Sequence, residues 1–413
     1  MSRAVRALVA LLVTLVSFSR PVNAQVVEVD ARASAFFEPS KTSKMTVITP
    51  SASVAATPFE FVTVNAGYSA DVVSGASESV KAGPSFSNNP DIVSAASVTD
   101  LRQVATGGLT FHRGHTDFGA SYSYGTENDY RSNAVTAIAS SDFLQRNTKI
   151  EIAYSHGFDQ VCDLNRNANQ DPTIRQAMDS SAGCFTTGQG RRSLDVSIDN
   201  FQGAWTQSWT PRFATQFVLT GSIINGFQSN PYRSVVIGPD GADAQEHHPD
   251  NRARVAGALR AKYYLKPMDV AVGAGVRLYR DTWDIFSQAY EIDLEKNLLP
   301  WLRLRLNGRY YRQTAAIFWS DDYTGGEPLN GPRGQYFSGD REVSPLSSIL
   351  GGARVTASFH GRQGERVVHL FMDLDLSIGV TLIRTFLSNF TWAGRTPDDT
   401  LANVIGGNAT ASF

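Results

Sequence analysis

Residues 291–310 read EIDLEKNLLPWLRLRLNGRY, and this stretch decides the fold. Ile292 and Leu294 alternate with Glu291, Asp293 and Glu295. Beyond the Leu299-Pro300 turn, Leu302, Leu304, Leu306 and Tyr310 alternate with Arg303, Arg305, Asn307 and Arg309. Period-two alternation is the mark of a strand with two unlike faces, and a proline-containing turn between two such runs reads as a hairpin. A β-sandwich would need a second apolar face to cover this one, yet the opposite face is charged. The pattern instead suits a wall with lipid on one side and an aqueous lumen on the other.

The same signal recurs outward from there. Thr57-Pro58, Thr210-Pro211 and Lys266-Pro267 mark further short turns. Alternating runs occur at 117–124, 149–158, 270–279 and 368–376, the last with Val368, Leu370, Met372, Leu374 and Leu376 opposite His369, Asp373 and Asp375. Between hairpins lie long polar stretches at 74–101, 159–192, 227–252 and 313–346. Short turns at one end and long loops at the other predict an all-β, antiparallel up-and-down transmembrane β-barrel. Strands are expected near 26–38, 44–56, 60–73, 103–112, 116–126, 131–141, 148–158, 193–208, 213–226, 253–265, 270–279, 284–296, 301–312, 347–359, 367–384 and 400–413. That makes about sixteen, with fourteen as the alternative count.

The N-terminus points to export. Arg3 and Arg6 precede an apolar run from Ala7 to Phe18, and Val22-Asn23-Ala24 reads as a small-residue cleavage site. Residues 1–24 are therefore expected to be a signal peptide and 25–413 the barrel, placed in the outer membrane of a Gram-negative cell. No later apolar run is long enough for a helical span. The chain is 42% hydrophobic and 10% aromatic with a net charge of −2. Nothing in that balance suggests a nucleic-acid partner. The expected partners are outer-membrane lipid, the barrel assembly machinery and an exported or cell-surface protein. Phe413 fits the aromatic ending that outer-membrane barrels often carry, with Ile405, Ala409 and Ala411 on its face.

Cys162 and Cys184 fall within one expected outer loop. An oxidising periplasm favours a disulfide between them. Closing that loop would be worth roughly 3 kcal/mol in the chain-entropy model. Aromatic girdles are expected at Trp205, Trp209, Tyr264 and Trp301 by the short turns. Tyr124, Tyr154, Phe158, Tyr279, Trp283, Tyr310 and Tyr311 are expected to form the other girdle.

Several segments together resemble a proteobacterial family of outer-membrane proteins that carries a domain of unknown function. They are DVVSGAS (71–77) with DIVSAAS (91–97), NPYRSVVI (230–237), EHHPDNRAR (246–254), LYRDTWDIFSQAYEI (278–292), LRLRLNGRYYRQTAAIFW (302–319) and SGDREVSPL (338–346). Tyr310 to Gln313 and Ser338 to Arg341 are the most specific of these, and 360–413 departs most. The resemblance implies an outer-membrane barrel and no established activity.

The residues expected to line the lumen are Arg254, Arg260, Lys262, Arg277, Glu291, Asp293, Glu295, Arg303, Arg305, Arg309, Asp373 and Asp375. They could set selectivity, or pair off and stiffen the barrel. Asp163, Asn165, Asn167, Asn169 and Asp171 have the spacing of a calcium loop. Ala168 and Ile174 stand where that loop needs glycine and an acid, so a solvated loop is the better reading. His247 and His248, between Glu246 and Asp250, are adjacent and poorly placed to share one metal ion. No metal or cofactor is expected, and no nucleophile with a placed base suggests an enzyme. The expectation is a narrow or partly plugged pore for small solutes. The alternative is a structural barrel that holds an exported or cell-surface partner without conducting.

Overall fold

The computed structural model describes residues 26–39, 44–75, 100–163, 184–187, 192–231, 233–237, 242–323, 335–361, 367, 371–387 and 400–413. The signal-peptide reading and residues 164–183, which hold most of the calcium-like spacing, lie outside them. The strands are β1 (Val26–Pro39), β2 (Lys44–Phe59), β3 (Val62–Gly75), β4 (Asp100–Arg113), β5 (Thr116–Thr126), β6 (Tyr130–Phe143), β7 (Thr148–Asp163), β8 (Arg192–Thr210) and β9 (Phe213–Gly226). They continue as β10 (Ser234–Ile237), β11 (Ala242–Gln245), β12 (Asn251–Leu265), β13 (Val270–Asp281), β14 (Phe286–Leu299), β15 (Leu302–Gln313), β16 (Leu346–His360), β17 (Asp373–Phe386) and β18 (Thr400–Ser412).

Sixteen of these close into one antiparallel barrel, each paired with its neighbour along the chain, and β1 seals against β18. The remaining two, β10 and β11, pair only with each other. Closure removes the free sheet edges that an open sheet would present.

Register carries the alternation from strand to strand. Glu291 faces Arg309 and Gly275, Glu295 faces Arg305, and Ile292 faces Ala274 and Gly308. A one-residue slip would swap the two faces completely. On the apolar face the large side chains are exposed, among them Ile150, Ile152, Leu219, Leu259, Leu278, Ile292, Leu294, Leu306, Ile378 and Leu382. Toward the long-loop end of that face, tyrosine hydroxyls donate to polar side chains: Tyr68 to Gln103, Tyr122 to Asn133, Tyr154 to Asp199 and Tyr290 to Gln288. Near the short turns, Trp209 Nε1 donates to Thr215. An apolar belt bounded by amphipathic rings is the outcome.

Gly226 ends β9 at φ 115°, where a Cβ would strike the backbone of Asp195. Only glycine suits that turn of the chain away from the wall.

Four expectations need correction. The strand expected at 367–384 starts at Asp373, so Met372 precedes it, and Val368 and Leu370 lie outside the described residues. Cys162 lies inside β7, which runs five residues past its expected end. The stretch 227–252 is not simply a loop, because it holds the β10–β11 hairpin, whose four-residue strands are too short to show a period. Tyr264, Tyr279, Tyr311 and Trp283 do not belong to the girdles. Tyr264 pairs in register with Ala271, the partner of Glu295, while Tyr279 pairs with Ala256 and Tyr311 with Ala289, all on the charged face, and Trp283 is buried under the loops.

Candidate functional site

The charged face is densest on β12 to β16. Arg260 Nη2 lies 3.3 Å from Glu291, and Lys262 Nζ 3.1 Å from Glu295. Both cations reach across β13, where their register partners are Gly275 and Gly273. A Cβ at Gly273 would overlap the Asp293 carboxylate, so glycine opens the space in which these rows meet. From the other side Arg303 reaches Glu295 at 3.2 Å, Arg305 reaches Asp293 at 3.9 Å and Arg309 reaches Glu291 at 4.0 Å. The ladders lie opposite each other, as the sequence suggests, but much of the pairing is diagonal. Asp293 itself faces Asn307, and Arg303 faces Asn297. Arg354, missed in the sequence, stands directly opposite Arg305.

Asp373 and Asp375 belong to a different part of the ring. Asp373 accepts from Ser412 and meets His360 Nδ1 at 3.0 Å, near the short-turn end. Asp375 faces Ser358 and Thr410. Arg254 and Arg277 share the face of the ladders, yet neither forms an ion pair with a described residue.

At the long-loop end, two connections fold together into a plate. The first, between β9 and β12, carries the β10–β11 hairpin; the second joins β15 to β16. Backbone bonds run both ways between His247 and Phe337. Val235, Ile237 and Ala244 of the hairpin pack on Tyr323 and Phe337 of the second connection. Trp283, Ile285, Phe318, Trp319, Val343 and Leu387 form a neighbouring core. The Tyr323 hydroxyl donates to the Phe318 carbonyl and accepts from the Ser338 N–H. Loops seldom carry this much buried apolar area unless they hold a fixed shape.

A polar knot lies within the plate. Arg233 forms an ion pair with Asp340. Glu246 Oε1 accepts from Ser338 Oγ and the Gly339 N–H, both at 3.2 Å. Its Oε2 lies 3.7 Å from His248 Nε2, and neither atom has a hydrogen-bond partner. Burial pushes the Glu246 carboxyl up, reinforced by the nearby Asp340 charge and opposed by Arg233. Burial also pulls His248 down to about 4. His248 contacts the rings of Trp283 and Phe318, while His247 turns toward Tyr336 and the Gln335 carbonyl. The two histidines therefore point to different neighbours, as a metal-sharing pair would not.

The plate is anchored to the wall at widely separated points. Gln245 donates to Asp163 at the end of β7 (3.3 Å). Arg341 makes a two-pronged contact with Glu38 at the end of β1 (3.1 and 3.2 Å). On the shorter way round the ring, five strands (β2 to β6) separate β1 from β7. Nine lie on the longer way, so the anchors are nearly opposite. A third anchor is Asp281, which accepts from Arg252, Tyr279 and the Trp283 and Ile285 N–H groups. Arg252 also stacks 3.9 Å over Trp283. Cys162 and Cys184 are joined by a disulfide that ties the short helix α1 (Cys184–Thr187) to the top of β7.

The plate contains several of the segments that carry the family resemblance: 230–237, 246–254 and 338–346 all meet there. The sequence profile of a family described as "Protein of unknown function (DUF3570)" matches residues 3–369. The chain belongs to that family. No curated protein matches it. Among solved structures, the chain is similar to a bacterial polysaccharide outer membrane secretin, with 9% identity, 95% of this chain and 100% of that one covered, and a TM-score of 0.47. It is also similar to the outer membrane protein OprD from Pseudomonas aeruginosa, with 8% identity, 95% of each chain and a TM-score of 0.43. A third is the siderophore receptor PirA from Acinetobacter baumannii, with 9% identity, 90% of this chain, 54% of that one and a TM-score of 0.44.

Proposed function

We propose that this DUF3570 protein is a non-enzymatic outer-membrane barrel that passes small solutes through a lumen narrowed at its outer mouth. The exposed apolar face meets lipid and the charged face lines the lumen. The observation that carries the reading is the plate anchored at both Asp163 and Glu38, nearly opposite points of the ring. A plate fixed at both sides leaves a restricted passage rather than an open bore. The ion-paired rows on β12, β14 and β15 keep the remaining wall polar and wet, as conduction requires. Sixteen strands enclose a lumen wide enough to hold water.

Single-channel recording of the refolded full chain tests this. The intact protein should conduct weakly for its strand number. Arg341→Ala, which frees the plate from β1, should raise the conductance or make it flicker. A wide, steady conductance that Arg341→Ala leaves unchanged would contradict a narrowed mouth. Silence in both forms would favour the other reading, a barrel that holds an exported or surface protein.

A further inference from the structure

Between the plate and the charged ladders lies a cavity of about 460 Å³ on the charged face. Asn200, Gln202, Thr220 and Ser222 line one side, from β8 and β9, and Arg254 and Arg277 line the other, from β12 and β13. No carboxylate lines it. Both arginines lack an ion-pair partner among the described residues, and Arg254 Nε is buried with no hydrogen bond. The reason is local. The register partner of Arg254 is Asp281, but that carboxylate is already engaged by Arg252, Tyr279 and two loop N–H groups. The ladders below Arg277 engage Glu291, Asp293 and Glu295 with other cations. Two guanidinium groups therefore face neutral hydrogen-bonding side chains in a space of small-molecule size.

We propose that this cavity is a binding site for a small anionic solute bearing carboxylate groups. Guanidinium groups present planar forks of donors that match carboxylate oxygens. The amides and hydroxyls opposite can bond hydroxyl or carbonyl groups on the rest of such a solute. A cationic solute would meet two positive charges and no counter-charge. The site deepens the pore reading by giving the lumen a solute class, and it rests on that reading for the route by which solute arrives.

The test is calorimetric titration of the refolded full chain in detergent at low salt, with succinate as probe and putrescine as the cationic control. Succinate should bind saturably and putrescine should not. Arg254→Met and Arg277→Met should each weaken succinate by about ten-fold or more, the loss of a charge-assisted contact. Ser222 is the register partner of Arg254 on β9. Ser222→Glu would place a carboxylate in the cavity and should abolish binding while leaving the barrel folded, judged by heat-modifiable mobility in gels. Absence of saturable succinate binding, equal binding of putrescine, or indifference to all three substitutions would overturn the proposal. Binding is read without any conductance. A protein that binds succinate but never conducts keeps the site and loses the pore, whereas one that conducts without binding succinate does the reverse.

Discussion

On the wall, Arg260 meets Glu291 with side chains 60% and 37% exposed, whereas in the plate Arg233 meets Asp340 with 15% and 11% exposed. The chemistry is the same and the solvent is not. Water screens the wall pairs, so each contributes little and several can share partners, as Glu291 and Glu295 do. In the plate the charges have lost most of their hydration, and each depends on the others being in place. The wall can therefore tolerate unpaired arginines beside a cavity, while the plate acts as one unit that is either assembled or not.

The largest expected break in this contrast comes from Asp340→Ala. It leaves Arg233 buried with only Glu246 and Glu342 as neighbouring acids, and loss of one partner of a buried pair costs about 3–5 kcal/mol. Hydrogen exchange at 335–344 and 244–250 should accelerate sharply while the barrel strands keep their protection. If the strands unfold along with the plate, the two regions form one cooperative unit.

A somewhat smaller effect separates the two faces of one strand. Leu306→Arg, opposite Leu294 and Ala353, places a charge in the apolar belt and should cost about 2–4 kcal/mol toward the membrane midplane. Arg305→Leu removes one exposed member of the ladder and should be mild. Yield of assembled, heat-modifiable barrel compares them directly. Equal losses, or the reverse order, would refute the assignment of faces.

The plate should also respond to pH in a way the wall does not. His248 is held below its ordinary value, near 4, so its contribution to stability is present above about 6.5 and lost as pH falls toward 4. Glu246 is held above its ordinary value, so its contribution is present below about 4.5 and lost as pH rises through its raised range. Arg233, Arg252 and Asp340 are the charges that face this pair. Exchange at 335–344, corrected for the intrinsic pH dependence, should slow toward a minimum between the two arms. Glu246→Gln should flatten the alkaline arm and spare the acid one. An unchanged alkaline arm in that variant would assign it to another group.

The smallest effect belongs to the wall. A double-mutant cycle on Arg260→Met and Glu291→Gln should give a coupling of about 0–1 kcal/mol. A coupling of several kcal/mol would mean that the ladder is far drier than its exposure implies.

Much of the barrel could be read from alternation because a strand repeats every two residues and a lipid-facing wall needs that repeat on every strand. The same repeat placed Arg303, Arg305 and Arg309 on one face with Glu291, Asp293 and Glu295 before any register was known. It misplaced Tyr264, Tyr279 and Tyr311, which have the chemistry of girdle residues but the parity of the opposite face. Arg354 was missed because its strand, 347–359, is rich in serine, glycine and alanine and shows no strong contrast between faces. Arg252, Glu38 and Arg341 were missed for a different reason: their partners are distant in the chain and obey no spacing.

The sequence by itself therefore determined a barrel with two unlike faces, the ends on which short and long connections fall, and two cysteines close enough to join. Each follows from local spacing, which covalent geometry converts directly into direction. Only the tertiary structure decided that the described parts of 227–252 and 313–346 close into one plate, and that Asp281 is taken by Arg252 so that Arg254 is left open. Those outcomes depend on which of several competing partners the fold brings within reach, and loops without a period carry no record of such long-range contacts in their local spacing.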